Sequence, residues 1–446
     1  MNNHIGIDEM LRVWMEKADD DEGSLMEMEQ QVRLWMHWLG QIVLWLWLQW
    51  VSRGLNARWV KCPHCGQTAI YSRQRPIHIQ TMVGHLRIKR AYYQCEHCHQ
   101  GHAPLDIKLG LRANAMSAEL ERLAARVGVQ MPFAQASELF EELTLVSLSD
   151  HSFSKATQAY GQVVEQMEQE AYQQSLDSQA MLERDRQAVR PIRLYGSLDG
   201  GRVQLRAPKG QEQPWRELKI GAWFKARGQP PKTPQDDWSI QAYDISYYSD
   251  VLKAEEFGQI FWSTGVEHQA DQALELILLG DGARWIWDLA DLYFPQAVQI
   301  VDWFHACEYL TPVAKQSFKD SHQQQHWIQA VRDDLWHGRL DDVIAACQQQ
   351  IQPQLPSDKD AAQVAVTYFQ NNRQRMDYPT YRANGYQIGS GTIESGVKQI
   401  AAQRMKVSGA RWHLNHARWV AKARSAFLSE QWQTLAQQRK FIQLSA

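Results

Sequence analysis

The chain has 446 residues, with 47 Lys+Arg against 50 Asp+Glu, so its formal net charge is −3. That length predicts about two to four domains and enough apolar surface for a core. With 44% hydrophobic and 22% charged residues, a wholly disordered chain, a collagen-like fibre and a disulfide miniprotein are excluded. A near-neutral total also argues against a nucleic-acid binder, but only if the charge is evenly spread.

It is not evenly spread. Residues 1–30 hold nine acids and two bases, and residues 53–112 hold ten bases and two acids. Residues 396–440 hold nine bases and one acid, Glu430. The total averages opposites, and two basic surfaces are expected, one in each of the latter segments.

Residues 1–54 predict a helical N-terminal segment, with one Leu-, Met- and Trp-rich helix over 25–53 ended by Gly54. Its stretch from Leu34 to Val51 nearly suffices for a membrane span, but His37, Gln41 and Gln49 interrupt it. It reads as a buried or dimerising amphipathic helix, and the protein as soluble. The start, MNNHIGIDEM, lacks the basic-then-apolar order of a secretion signal.

Within 55–110, Cys62-Pro-His-Cys65 and Cys95-Glu-His-Cys98 form two C-x-x-C knuckles, separated by 29 residues. Four thiolates so spaced suit tetrahedral zinc, each knuckle giving two ligands from one turn. Gly66 supplies the permissive backbone of such a turn, and a hairpin containing HLRIKRAYYQC, which alternates like a strand, fills the gap. A closed four-thiolate shell is structural, and it points to a reducing, intracellular compartment. Arg87, Lys89 and Arg90 are the candidates for phosphate contacts here, while a protein–protein ribbon stays open.

Residues 111–190 read as helical and polar. FAQASELFEEL, the turn TLVSLSD, then HSFSKATQAYG predict two short helices joined tightly, as a helix-turn-helix or an ordinary helical hairpin. From Pro191 to 310 the texture is that of strands: IRLYGSL, RVQLR, ELKIGAWF and AYDISYYS, separated by Gly/Pro turns including GQPPKTPQDD. ALELILLGD and AVQIVD read as buried strands with a helix between them, which implies a mixed sheet with helices packed on it. Residues 311–385 are Gln-rich and helical, 386–430 helix-rich and basic, and 431–446 a C-terminal tail. The fold class is thus multidomain α+β.

Three acids stand out by position. Asp199 ends IRLYGSLDGG beside a Gly-Gly turn, and Asp281 ends LELILLGDGA in the same way. Glu394 lies in QIGSGTIESGVKQIAAQRMK, in the first turn of a helix capped by Ser390 or Thr392. Singly, each has a bland reading as a turn aspartate or a dipole-complementing glutamate. Together they can converge at the sheet edge and hold two divalent ions about 4 Å apart for phosphoryl transfer. Mg²⁺ suits such a set because it takes few carboxylates. Asp302, ending AVQIVD, competes with Asp281 for the second metal position. Lys398 lies one turn after Glu394, either gripping a phosphate or pairing with Glu394. It heads a group of candidate DNA contacts with Arg404, Lys406 and Arg411. Trp285 and Trp287 either stack on a nucleotide or pack as core, and Cys307 and Cys347 read as small core residues.

The strings SLDGGRVQLR, LLGDGARWIWDLADLYFPQAVQIVDWFHACEYL and GSGTIESGVKQIAAQRMKVSGARW resemble the three signature blocks of ISKra-type bacterial insertion-sequence transposases. These are DDE enzymes related to the Mutator-like group. With the CPHCG ribbon upstream, the resemblance covers roughly residues 55–430. It implies a ribonuclease-H-like catalytic core made of 191–310 and 386–430, interrupted by a helical insertion at 311–385. Asp199, Asp281 and Glu394 fall on the family's metal-binding triad, for Mg²⁺ or Mn²⁺. Asp302-Trp-Phe-His305 matches its D-x-x-H element, whose histidine assists at the scissile phosphate. The expected function is that of an insertion-sequence transposase, binding element ends through the zinc ribbon and helical region, then cutting and joining DNA. A metal-dependent nuclease of the same fold and a non-catalytic zinc-ribbon DNA-binding protein are the alternatives. The expected partners are double-stranded DNA and a second copy of the chain, in the cytoplasm at the nucleoid and with no membrane.

Overall fold

A computed structural model describes residues 24–112, 115–187, 189–208, 210–212, 214–230 and 238–445. The acidic segment 1–23 and most of the turn at 228–237 lie outside the described residues. The chain is mixed α/β with two mixed sheets, and it divides into two compact units. One holds residues up to 128, 133–156 and 440 onward; the other holds 129–132 and 157–439.

In the first unit, the helix Leu25–Gly54 is started by a capping box between Ser24 and Glu27. The expected ribbon follows as β1 (Trp59–Lys61), β2 (Thr68–Thr81), β3 (Gly84–Cys95) and β4 (Gly101–His102) in spatial order. β5 (Ala115–Met116) adds parallel to β2. The β2–β3 hairpin pairs from Ala69↔Cys95 to Thr81↔Gly84, and so occupies the gap between the knuckles. Leu44, Leu48 and Val51 of the long helix pack against Ile77, Ile79, Leu86 and Ile88 of that hairpin. The opposite side of the helix is uncovered, with Trp47 64% and Trp50 72% exposed. It is therefore half buried. Among the described residues no helix is long and apolar enough to cross a membrane.

The two helices expected around TLVSLSD are Phe133–Thr144 and Asp150–Leu176. The turn is tight, with Leu145 at φ +61° and the Ser137 hydroxyl donating to the Leu148 carbonyl. The second helix is not short: it runs 27 residues. No Gly or Pro interrupts DHSFSKATQAYGQVVEQMEQ before Gly161, and that glycine serves close packing, since a Cβ there would meet the Trp419 backbone.

The sheet of the second unit has the order β10-β9-β6-β7-β8. β6 (Arg193–Gln204), β7 (Trp215–Gln229) and β8 (Ser239–Asp250) form an antiparallel meander. β9 (Glu275–Gly280) and β10 (Val298–Val301) add parallel on the other side of β6. The helix Arg284–Tyr293 connects β9 to β10. β9 is buried along nearly its whole length, which is why ELILLG reads as a continuous apolar run. From Leu310 to Ala383 the described residues are helices and connections without a strand, as expected for 311–385.

Three expectations need correction here. Asp199-Gly-Gly is not a turn: β6 runs on through Gly200 and Gly201, paired with Lys219 and Leu218 of β7. Gly201 is small because Ala401 lies against it, 2.6 Å from where a Cβ would stand. The tail expected at 431–446 is a helix, Trp432–Ser445. Nor do all the bases of 396–440 form a surface. Arg404 is 2% exposed and Lys422 1%. Lys422 pairs with Glu168 and, at 2.8 Å, with Asp250, while Arg418 reaches Asp250 at 2.6 Å and Glu165 at 2.7 Å. A buried cation persists only with such partners. In the basic segment of the first unit the same holds for Arg90, which is buried and held by both carboxylate oxygens of Asp106 at 2.6 Å.

Candidate active site and metal centre

The four cysteines meet. The Cys62 and Cys98 sulfurs are 3.6 Å apart, those of Cys65 and Cys95 3.5 Å, and all four lie within 4.8 Å of one another. Zinc–sulfur bonds of about 2.3 Å in a tetrahedron require sulfurs about 3.8 Å apart, so the donor set fits the ion. The two knuckles are built alike. Cys62 N–H donates to Gln67 and Gly66 N–H to Cys62, while Cys95 N–H donates to Gln100 and His99 N–H to Cys95. Both turns need the left-handed region, filled by Gly66 at φ +73° and by His99 at φ +57°. The Cys98 backbone N–H, opposed by desolvation and helped by the His97 N–H, pulls the Cys95 thiol down to about 6. Against the Gln100 N–H, burial and the neighbouring Cys65, Cys95 and Cys62 sulfurs push the Cys98 thiol the other way, up to about 12, so metal binding by this set would release protons.

The acidic site arises from strand register. Leu198 pairs with Gly280, and Gly280 pairs with Val301. The next residues are Asp199, within β6, and Asp281 and Asp302, just past the ends of β9 and β10, and the register brings the three level at this edge of the sheet. Asp199 and Asp281 line a cavity of about 600 Å³ together with His305, Glu308, Ser390 and Glu394. Asp302 does not open into it. Its side chain is fully buried, and its two oxygens accept the backbone N–H groups of His305 and Ser390. It caps the short helix Trp303–Glu308 that carries His305. Asp302 thus organises the cleft from beneath.

Glu394 is exposed in the helix Gly391–Val397. Ser390 precedes that helix, as expected, but does not cap it through its hydroxyl, which donates instead to Glu394 Oε1 at 2.8 Å. Asp281 accepts from the Ala283 N–H at 2.8 Å, and the Tyr368 hydroxyl donates to the Asp281 carbonyl at 2.9 Å. Gly282 between them sits at φ +97°, where a Cβ would meet the Tyr368 ring at 2.6 Å. Burial, with the charges of Asp281 and Glu394, pushes the Asp199 carboxyl up to about 6. The Gly200 N–H, at 2.6 Å, and His305 pull it the other way. The acids therefore sense one another across the cleft, an excess of negative charge that a divalent cation would neutralise. Among the described residues the only side chains already gathered to ligand-cluster spacing are the four cysteines; the three carboxylates stand farther apart than that.

Two cleft residues went unread in the sequence. Glu308 lies one helical turn beyond His305, its carboxylate 3.5 Å from Nδ1, and only that i,i+3 spacing signals it. Phe304 is exposed at the cleft wall. Lys398, Lys406 and Arg411 are exposed as expected, and among the described residues Lys398 makes no ion pair with Glu394. The Lys398 N–H donates to the Glu394 carbonyl, so the two residues stand one helical turn apart as expected, and a π-helix runs on from Lys398 to Met405. Arg87 and Lys89 alternate outward along β3 with buried Leu86, Ile88 and Arg90. Trp287 is core, with the Arg375 guanidinium 4.8 Å above its ring, and Trp285 lies half buried under Lys219. Cys307 and Cys347 are buried.

The sequence matches no family model and no curated protein.

The purified chain should carry about one zinc ion, bound by the closed four-sulfur shell. Elemental analysis of Cys62→Ser should show it lost; a folded wild-type protein free of zinc would refute the assignment.

Proposed function

We propose that the protein is a DNA transposase of the DDE class, with a ribonuclease-H-like catalytic core and Asp199, Asp281 and Glu394 as its metal-binding triad. The observation that carries this reading is the register that sets Asp199 and Asp281 level at one edge of the sheet, facing Glu394 across one cleft. The sheet order, three antiparallel strands followed by two parallel ones, supports the fold assignment, and the likeness of the three signature strings supports the family.

Mg²⁺ or Mn²⁺ bound by these carboxylates would stabilise the charge on the attacking and leaving oxygens of an in-line displacement at phosphorus. The protein's own part is positional. In the first reaction water attacks the phosphorus at the element end, the P–O3′ bond breaks, and the freed strand keeps a 3′-hydroxyl. In the second, that hydroxyl attacks a target phosphate and displaces the target strand's own 3′-oxygen. His305, half exposed at the cleft beside Glu308, contacts the scissile phosphate and can deliver a proton to the departing oxygen. Lys398, Lys406 and Arg411 hold the flanking phosphates, as do Arg87 and Lys89 on the ribbon, which is stiffened by zinc. Arg90 and Arg404 are withdrawn from that role, because burial keeps them from DNA. The closed sulfur shell leaves no open position for catalysis at zinc.

Synapsis of two element ends calls for at least two catalytic units, and we assign the uncovered side of helix Leu25–Gly54 to self-association. Sedimentation should show an oligomer for the wild type and a smaller species for Trp47→Glu with Trp50→Glu; unchanged size would remove that surface from the account.

The deciding assay supplies Mg²⁺ and DNA bearing the element's terminal repeats. Cleavage at the repeat ends with joined products is expected, and Asp199→Ala, Asp281→Ala and Glu394→Ala should each reduce it by at least about a thousandfold. Retention of cleavage in all three would overturn the triad, while cleavage without joining would favour the nuclease. Binding of the repeats should weaken steeply as salt rises.

A further inference from the structure

The loop that carries Asp281 has open space on two sides. Asp281 lines the cleft of about 600 Å³, whereas Gly282 lines a separate cavity of about 720 Å³. Residues 281–283 are only half buried, so little apolar packing holds them. Within the loop the Ala283 N–H donates to Asp281 Oδ1 at 2.8 Å, a turn that fixes the carboxylate relative to its own backbone. The strand ends at Gly280, however, so ladder hydrogen bonds no longer set the peptide that follows Asp281.

A side chain from the later helix Ala361–Asn371 supplies the missing restraint. The Tyr368 hydroxyl donates to the Asp281 carbonyl at 2.9 Å, across 87 residues of chain. Gly282, at φ +97°, permits this approach, since a Cβ there would stand 2.6 Å from the Tyr368 ring and 2.9 Å from its hydroxyl. The ring is itself fixed. Tyr368 is 8% exposed, and Tyr309 stacks on it with centroids 3.8 Å apart and planes 15° from parallel. Tyr309 also meets His305 edge to face, at 6.0 Å and 74°. Three rings therefore run from the histidine at the cleft to the peptide behind Asp281. The helix bearing Tyr368 is anchored in turn by Asp360, a buried cap that accepts from the Ala362, Gln363 and Gln352 N–H groups.

We infer that Tyr368 is a positioning residue for the metal site: its hydroxyl holds the peptide after Asp281, so that this carboxylate meets an ion shared with Asp199 and Glu394. Hydrogen bonds behind metal ligands are typically worth about ten- to a hundredfold in metal affinity, because they orient the ligand before the ion arrives. A bond that merely satisfied a carbonyl would add to stability and leave the metal untouched. The helical stretch between Asp281 and Glu394 is thus part of the metal site, although none of the three acids lies in it. The inference rests on the proposed role of those acids as metal ligands.

The test uses the full-length protein as purified and Mn²⁺ alone as the probe, with free Mn²⁺ read by electron paramagnetic resonance. The wild type should bind Mn²⁺, and Asp199→Ala should abolish that binding. Tyr368→Phe removes one hydroxyl and keeps the ring, and it should raise the Mn²⁺ dissociation constant about tenfold. Tyr381→Phe is the control. Its hydroxyl likewise donates to a strand carbonyl, that of Gln299 at 3.3 Å, outside the lining of the cleft, and its loss should leave Mn²⁺ affinity unchanged. Thermal unfolding checks that each variant is folded. As a second readout, plasmid nicking by Tyr368→Phe should need about tenfold more Mg²⁺ for half its maximal rate. Unchanged Mn²⁺ affinity in Tyr368→Phe, or equal losses in both tyrosine variants, overturns the proposal and leaves the cleft in place. Absence of Asp199-dependent Mn²⁺ binding in the wild type removes the metal site, and the proposal with it.

Discussion

The carboxylate of Asp302 has no exposed surface, and it accepts the backbone N–H groups of His305 and Ser390. A charge so placed is tolerable only when fully hydrogen-bonded, and here the donors are the starts of two separate segments. One leads into the helix bearing His305; the other leads into the helix bearing Glu394, more than eighty residues later in the chain. A single buried acid thereby ties the end of β10 to both elements that complete the cleft. Strand register sets Asp199 and Asp281 level beside it. The helix of Glu394 is held further by the Tyr247 hydroxyl of β8, which donates to the Thr392 carbonyl at 3.0 Å.

The smaller sheet is organised by the opposite means. Around the knuckles only Cys62, Ala69, Ala91, Tyr93 and Cys95 form a buried cluster, too little apolar area to hold a ribbon of five strands by itself. Four sulfurs at bonding distance of a common centre supply the missing energy once a metal is bound, since binding is coupled to the fold. Farther along the hairpin the long helix Leu25–Gly54 provides a second, conventional core. The outward residues of β3, Arg87 and Lys89 among them, are therefore displayed from a stiff support.

Much of this was legible in the sequence because it is local. C-x-x-C spacing and the apolar run ELILLG each follow from residues within a few positions of one another. What escaped depends on distant partners. Asp199-Gly-Gly has the composition of a turn, yet β7 keeps it in a strand, and Gly201 serves Ala401 two hundred residues away. Asp302 ends a strand as Asp281 does, and nothing local tells which of the two turns inward. Charge counting went astray for a similar reason. Arg90, Arg404 and Lys422 raise the basic count of their segments, but they are buried, with Asp106 answering Arg90 and Glu168 and Asp250 answering Lys422. Each segment therefore exposes fewer cations than its count implied: Lys398, Lys406 and Arg411 stay exposed in the later one, and Arg53, Arg58, Lys61, Arg73, Arg87, Lys89, Lys108 and Arg112 in the earlier one.

The claim on which the functional account turns is that Asp199, Asp281 and Glu394 bind the same metal ions. Replacing Mg²⁺ with Fe²⁺ and adding ascorbate and peroxide generates hydroxyl radicals at the bound ion, which cut the nearest backbone. Mass spectrometry of the fragments should place the cuts beside residues 199, 281 and 394 together, and excess Mg²⁺ should suppress all three in parallel. Cuts confined to other regions, or cuts at these positions that Mg²⁺ leaves untouched, would contradict it.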